Sequence, residues 1–202
     1  MDIALIQASS QKDKNSIMER CLKEVAETEH RIINFGVFSD EEIDISYVDV
    51  SVNICFLLSS GAVDFAVTGC SSGQGMMMAC NSLPGLICGY TPTPADAYLF
   101  AQINEGNAVS YPLGLNWGWG GEINFKETMR ALFAEPFGGG YPKEDATRKL
   151  CDMERVRVYN ALTKRSICDI WNCLEDVFIK PEVREYILEY GTDERVKTLL
   201  KE

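Results

Sequence analysis

Short apolar runs alternate with helix-period segments through most of this 202-residue chain, and that alternation limits the folds open to it. Residues 3–7, 31–37, 63–68, 85–90 and 107–111 read as strands, each bounded by polar or turn-forming residues. Between them, residues 12–28 place Ile17, Met18, Cys21, Leu22 and Val25 at a helical spacing, and residues 47–59 do the same with Val48, Val52, Cys55, Phe56 and Leu58. Helix-compatible stretches recur at 76–81, 95–103 and 122–133. The pattern predicts an α/β fold: a doubly wound, Rossmann-like parallel sheet of five strands with helices on both faces and right-handed crossovers. Ligands of such folds sit beyond the carboxyl ends of the strands. That rim gathers Ala8-Ser9-Ser10, residues 70–75, residues 91–94 and Tyr111-Pro112. The glycine run 138–140 and Tyr141-Pro142 close this domain, giving residues 1–142. Residues 143–202 read as a charged, helical C-terminal extension. Its apolar face, with Val156, Tyr159, Leu162, Trp171, Leu174 and Phe178, is expected to serve packing and oligomer contact.

The third apolar run leads straight into Gly69-Cys70-Ser71-Ser72-Gly73-Gln74-Gly75, which is followed by the helix start at Met76. A strand, a glycine-rich turn and a helix N-terminus together present backbone N–H groups and a positive dipole end to an anion. Such a field favours the thiolate form of a cysteine placed in it, so Cys70 is a candidate nucleophile or base. Other readings of this loop fit less well. Gly69-x-Ser71-x-Gly73 matches the nucleophile elbow of serine hydrolases, but that chemistry needs a later histidine, and His30 is the single histidine. A cysteine phosphatase needs an arginine where Met76 stands, and no Gly-Lys-Ser/Thr phosphate loop occurs. The dinucleotide pattern fails as well, since Gly75 is followed by Met76-Met77-Met78. The plain structural alternative is a tight strand-to-helix turn that needs small residues for packing.

A net charge of −11 gives no basic surface for nucleic acid and none for an anionic membrane. No apolar run reaches the ~20 residues needed to span a bilayer. The N-terminus shows no secretory pattern, and the eight cysteines fall in apolar helix and strand patterns without a Cys-x-x-Cys pair. The expectation is a cytoplasmic protein with reduced thiols, no metal and no cofactor.

Asp64-x-x-Val67-x-x-Cys70-x-Ser72-Gly73-x-Gly75-Met76-x-x-Ala79-x-Asn81, followed by Pro84-Gly85, resembles the signature of type B ribose-5-phosphate isomerases and galactose-6-phosphate isomerase subunits. That signature runs Cys-Gly-Thr-Gly-x-Gly-x-x-x-x-Ala-Asn-Lys. Asn104-Glu105-Gly106-Asn107-Ala108-Val109 and Phe137-Gly138-Gly139-Gly140 resemble two further stretches of the same family, and the similarity spans about residues 2–142. The resemblance implies a sugar-phosphate aldose–ketose isomerase that works through an enediolate, with Cys70 as base and Ser72 keeping the hydroxyl of the family's threonine. It also implies substrate contacts from Ser9, Ser71, Gly73, Gly75, Asn104, Tyr141 and Lys143. The partners would be a sugar or sugar phosphate and a second copy of the chain, as a homodimer or dimer of dimers with a site shared between subunits. Three positions depart from the family. Ala8-Ser9 replaces an Asp-His pair, Ile103 replaces the ring-opening histidine, and Tyr141 replaces a phosphate-binding arginine. Lys143 or Arg148 is the expected substitute anion contact. Two alternatives stay open: an isomerase of a non-phosphorylated or open-chain sugar, and a non-catalytic sugar-phosphate-binding subunit or sensor.

Overall fold

The computed structural model describes residues 1–26, 29–115, 117–174 and 179–190; Thr28, the end of the first helical segment read above, Phe178 of the expected apolar face and the tail from residue 191 lie outside the described residues. Five strands, β1 (Asp2–Leu5), β2 (Arg31–Asn34), β3 (Phe65–Cys70), β4 (Cys88–Tyr90) and β5 (Ala108–Pro112), form one sheet in the order β2-β1-β3-β5-β4. Every pairing is parallel, with Ile3 opposite Ile32 and Phe65, Ala66 opposite Ala108, and Cys88 opposite Ala108. The chain steps from β1 to β2 on one side and returns to β3 on the other. The switch point therefore lies between β1 and β3, where a doubly wound sheet opens its crevice.

Eight α-helices are described: α1 (Asn15–Ala26), α2 (Tyr47–Ser59), α3 (Gln74–Ser82), α4 (Pro94–Leu99), α5 (Gly121–Leu132), α6 (Ala146–Thr163), α7 (Ile167–Cys173) and α8 (Pro181–Tyr190). One sheet face packs Ile3, Leu5, Phe65, Val67 and Val109 against α1, α4 and α5. The other packs Ala4, Ile6, Ala66, Cys70 and Ala108 against α2, α3, α7 and α8. This alternation along each strand is the period-two rule of a sheet covered on both faces.

Several boundaries differ from the sequence reading. The helix expected from residue 12 begins at Asn15, because Ser9–Lys14 forms a tighter 3-10 segment in which Gln11 leaves helical geometry at φ −127° and ψ 20°. The helix expected over 95–103 runs as α4 and then a π-turn, Phe100–Asn104, and Glu105 ends it at φ 46°. The fourth strand shortens to three residues, Cys88–Tyr90.

The C-terminal helices contribute to the core. Ile167, Trp171, Ile179, Val183, Tyr186 and Ile187 are all buried in the cluster built on α2. Trp171 meets Phe56 edge-on at 5.1 Å, and Arg184 lies 4.3 Å over the Trp171 ring. This explains why α2, started by a capping box between Ser46 and Asp49, is buried from Val50 to Leu57. A helix apolar on all sides has to be covered on all sides, and α7 and α8 cover what the sheet does not. Trp171 and Leu174, expected on an oligomer face, pack instead against the chain's own core; Val156, Tyr159 and Leu162 remain exposed at 43%, 57% and 78%. No described helix is long and apolar enough to cross a membrane.

Candidate active site

Cys70 is the last residue of β3 and is 7% exposed, on the sheet face beneath α3. The turn after it is held from two sides. Leu113 N donates to Cys70 O at 2.9 Å, while Gly114 N and Leu115 N donate to Ser71 O at 2.8 and 3.0 Å. Ser110 Oγ donates to Gly73 O at 2.7 Å. Gly73 caps α3 at φ 73°, and a Cβ there would meet Tyr90 Cε2 at 2.8 Å and Pro112 N at 2.9 Å, so both backbone and space demand glycine. Met77 N bonds Gly73 O at 3.1 Å. The earlier amides of α3, at Gln74, Gly75 and Met76, are first-turn donors without an intrahelical acceptor. The arrangement supplies a thiol, a row of backbone donors and the positive end of a helix within one loop, which suits a base that faces a developing oxyanion.

The turn after β1 stands beside this loop, with Ala8 N donating to Gly69 O at 3.3 Å. Ser9 is occupied by a neighbouring segment: its hydroxyl accepts from Ile45 N at 2.6 Å and donates to Ile43 O at 3.1 Å. Two residues on, Gln11 Nε2 donates to Ser71 Oγ at 2.8 Å. Lys12 reaches Glu41 O, and Lys14 pairs with Asp13 at 3.0 Å and lies 6.0 Å over Trp117. Tyr47, first residue of α2 and 41% exposed, packs against Gly75, and Tyr90 packs against Gly73. Gln11, Tyr47 and Tyr90 carry no motif, and sequence reading passed over all three.

The predicted residues therefore fall into two groups. Cys70, Ser71, Ser72, Gly73 and Gly75 share the carboxyl rim, with Ser9 in the adjoining turn. Asn104 sits at the opposite end of the sheet, four residues before β5 begins, and its Nδ2 lies 3.7 Å from Met153 Sδ. Tyr141 neighbours the same helix through an edge contact with Tyr98 at 6.1 Å and is 54% exposed. Lys143 pairs with Glu135 at 3.6 Å, and Arg148 with Asp145 and Asp152 at 2.9 and 3.3 Å. These contacts of Asn104, Tyr141, Lys143 and Arg148 are all with residues outside the cysteine loop. The other buried thiols, Cys21, Cys55, Cys80 and Cys88, are ordinary core: burial, eased by Ser59, pushes Cys55 up to about 12, and the adjacent Cys80 together with burial holds Cys88 well above the usual thiol range.

A doubly wound parallel sheet opens its crevice at the switch point between β1 and β3, and Cys70 ends one of the two strands that flank it. Residues 3–144 match the Ribose/Galactose Isomerase family. Among solved structures, a 4-deoxy-L-threo-5-hexosulose-uronate ketol-isomerase, in complex with a tartrate, is 37% identical with a TM-score of 0.88, over 100% of this chain and 98% of that one. A ribose-5-phosphate isomerase from Vibrio parahaemolyticus is 31% identical with a TM-score of 0.87, over the same shares. The type B ribose 5-phosphate isomerase of Trypanosoma brucei is 21% identical, with a TM-score of 0.67 over 78% of this chain and 97% of that one, and shares the fold. No curated protein matches the chain. The chain belongs to the ribose/galactose isomerase family and is a sugar isomerase of the aldose–ketose kind.

Proposed function

We propose that this isomerase acts on an open-chain, non-phosphorylated acidic sugar of the hexosulose-uronate class, with Cys70 as the base. The observation that carries the reading is the pairing of an intact cysteine loop with the loss of two family groups, the ring-opening histidine at Ile103 and the phosphate arginine at Tyr141. The 37% identical relative named as a 4-deoxy-L-threo-5-hexosulose-uronate ketol-isomerase supports it. A 4-deoxy-5-hexosulose lacks both the C4 and the C5 hydroxyl that would close a furanose or pyranose ring. Such a substrate needs no ring opening, and its acid group is a carboxylate.

In the proposed reaction the Cys70 thiolate removes the proton from C2 of the aldose, and the electron pair moves onto the C1 carbonyl oxygen. The amides leading α3 stabilise that enediolate. The cysteine returns the proton to C1, the O2 proton passes to O1, and the product is the 2-ketose. No group is gained or lost. Asn104 comes from a second copy of the chain, in a homodimer or dimer of dimers, because one chain holds it at the far end of the sheet from Cys70.

The test offers 4-deoxy-L-threo-5-hexosulose uronate and ribose 5-phosphate separately in heavy water and follows deuterium at C1 and C2 by NMR. Exchange with the uronate at least tenfold faster is expected. Faster exchange with ribose 5-phosphate reverses the substrate assignment in favour of the 31% identical relative's activity.

A further inference from the structure

Gln11 is 7% exposed, and its carboxamide is split between two situations. Nε2 donates to Ser71 Oγ at 2.8 Å, whereas Oε1 is buried with no hydrogen-bond partner among the described residues. Buried carbonyl oxygens left unpaired are uncommon and unfavourable. The Nε2 contact to Ser71 is thus what anchors this side chain. The backbone is shaped to the same end: Gln11 alone leaves helical geometry inside the 3-10 segment, while its N–H stays bonded to Ala8 O at 2.9 Å. That departure carries the side chain from the turn after β1 across the switch point to the cysteine loop.

The consequence falls on Ser71. This residue is exposed, and its backbone carbonyl already accepts from Gly114 and Leu115. With Gln11 donating into one lone pair of Oγ, the hydroxyl proton turns away from Gln11 toward the open side of the loop. A serine hydroxyl rotates between donor and acceptor roles; accepting from Gln11 leaves the Ser71 proton available to donate on the open side, one residue from Cys70.

We propose that Gln11 is a positioning residue: it orients the Ser71 hydroxyl to donate to an oxygen of the bound substrate, adding a side-chain donor to the backbone amides of the loop. This rests on the reading of Cys70 as the site's base. The recognised group is an acceptor-only oxygen, a carboxylate or the developing enediolate. The interaction is specific to donors held rigid before the substrate arrives, so it works through preorganisation.

Gln11→Glu tests the idea with almost no change in shape. A carboxylate at residue 11 accepts from Ser71 and draws its proton inward. Turnover of 4-deoxy-L-threo-5-hexosulose uronate should fall about tenfold to a hundredfold in kcat, and Ser71→Ala should fall by the same factor. The double variant should be no worse than either single one, because both remove one donor. Gln11→Asn, which keeps the amide on a shorter arm, should recover part of the loss. A merely structural glutamine would lower the melting temperature in both single residue-11 variants and leave kcat unchanged at 25 °C. A second readout is independent of turnover. Tartrate affinity by calorimetry should drop roughly five- to tenfold in Gln11→Glu and in Ser71→Ala, the loss of one charge-assisted hydrogen bond. Equal tartrate affinity in the three proteins, or no binding to the wild type, overturns the proposal. Wild-type protein that binds tartrate with the expected losses yet converts no sugar overturns the substrate assignment and leaves Gln11 in its role.

Discussion

The ring of Tyr47 lies against Gly75, so that a Cβ built on residue 75 would stand 3.3 Å from both Cε2 and Cζ of the tyrosine. The two come from different elements, the first turn of α2 and the first turn of α3. Tyr47 is thereby placed over the donor row that follows Cys70, with enough exposure to close on a ligand or move from it. Tyr47→Ala should raise KM for the sugar about tenfold, roughly 1.4 kcal/mol of binding, with a smaller change in kcat. Gly75→Ala pushes the ring outward without burying anything, so it should fold normally and show the same KM defect. Unchanged KM in both variants removes Tyr47 from the site.

Cys70→Ala should abolish C1/C2 proton exchange while the protein stays folded. Loss of a general base costs about 10²- to 10⁴-fold in rate, and the small buried side chain leaves a cavity of only one sulfur. Cys70→Ser should be nearly as inactive, because a hydroxyl is far harder to ionise than a thiol. The check is NMR exchange beside a thermal melt; full activity in the alanine variant excludes a thiolate base.

The sheet was legible because strands covered on both faces have to be apolar along most of their length, as in residues 63–68. The cysteine loop was legible because its glycine requirements are local: Gly73 needs positive φ and has no room for a side chain. Longer-range relations were not. The contact between Gln11 and Ser71 spans 60 residues, and no property of either residue announces the other. The apolar face of the tail was visible, but an amphipathic helix does not name its partner. Trp171 found Phe56 of the same chain, whereas Leu162 stayed in solvent. Placing Asn104 in the family motif likewise gave no sign that the fold carries it to the far rim.

Thiol labelling should report the same geometry. Cys151 and Cys173 are exposed, Cys168 is intermediate, and Cys21, Cys55, Cys70, Cys80 and Cys88 are buried. Burial pushes Cys55 and Cys21 up, and the neighbouring Cys80 and burial do so for Cys88, so these thiols carry little thiolate at neutral pH. Brief iodoacetamide treatment, read by peptide mass spectrometry, should modify Cys151 and Cys173 first. Among the five buried thiols Cys70 should react ahead of the others, and a bound sugar should slow it alone. Modification of Cys55 or Cys88 before Cys70 contradicts the proposed thiolate.

Helix α6 is fastened to the domain by side chains that reach backbone. Asn160 Oδ1 accepts from Gly85 N at 2.8 Å and its Nδ2 donates to Leu86 O at 3.1 Å. Lys164 Nζ donates to Asn81 O and Leu83 O at 2.6 and 2.8 Å. Asn160→Ala strips both partners from the loop before β4 and should cost about 1–3 kcal/mol. Since this loop lies at the amino end of β4, away from Cys70, urea denaturation should show the loss while the exchange rate per folded molecule stays within a factor of two or so.

The separation of Cys70 and Asn104 makes the strongest demand on assembly. Ala66 on β3 faces Ala108 on β5. From Ala66 to Cys70 the strand advances four residues, roughly 13 Å at about 3.3 Å per residue, while Asn104 lies four residues beyond Ala108 in the other direction. Both residues can serve one substrate only if they belong to different chains, and the exposed Val156, Tyr159 and Leu162 of α6 offer apolar surface for such a contact. Cys70→Ala and Asn104→Ala should each be nearly inactive alone. Mixed in equal amounts and allowed to exchange subunits, half the two-fold dimers are hybrids, and each hybrid regains one intact site of two. Activity should therefore rise to about a quarter of wild type. A mixture no more active than its parents, or a light-scattering mass near 22.6 kDa at micromolar concentration, means that Cys70 works without Asn104 and that the site closes within a single chain.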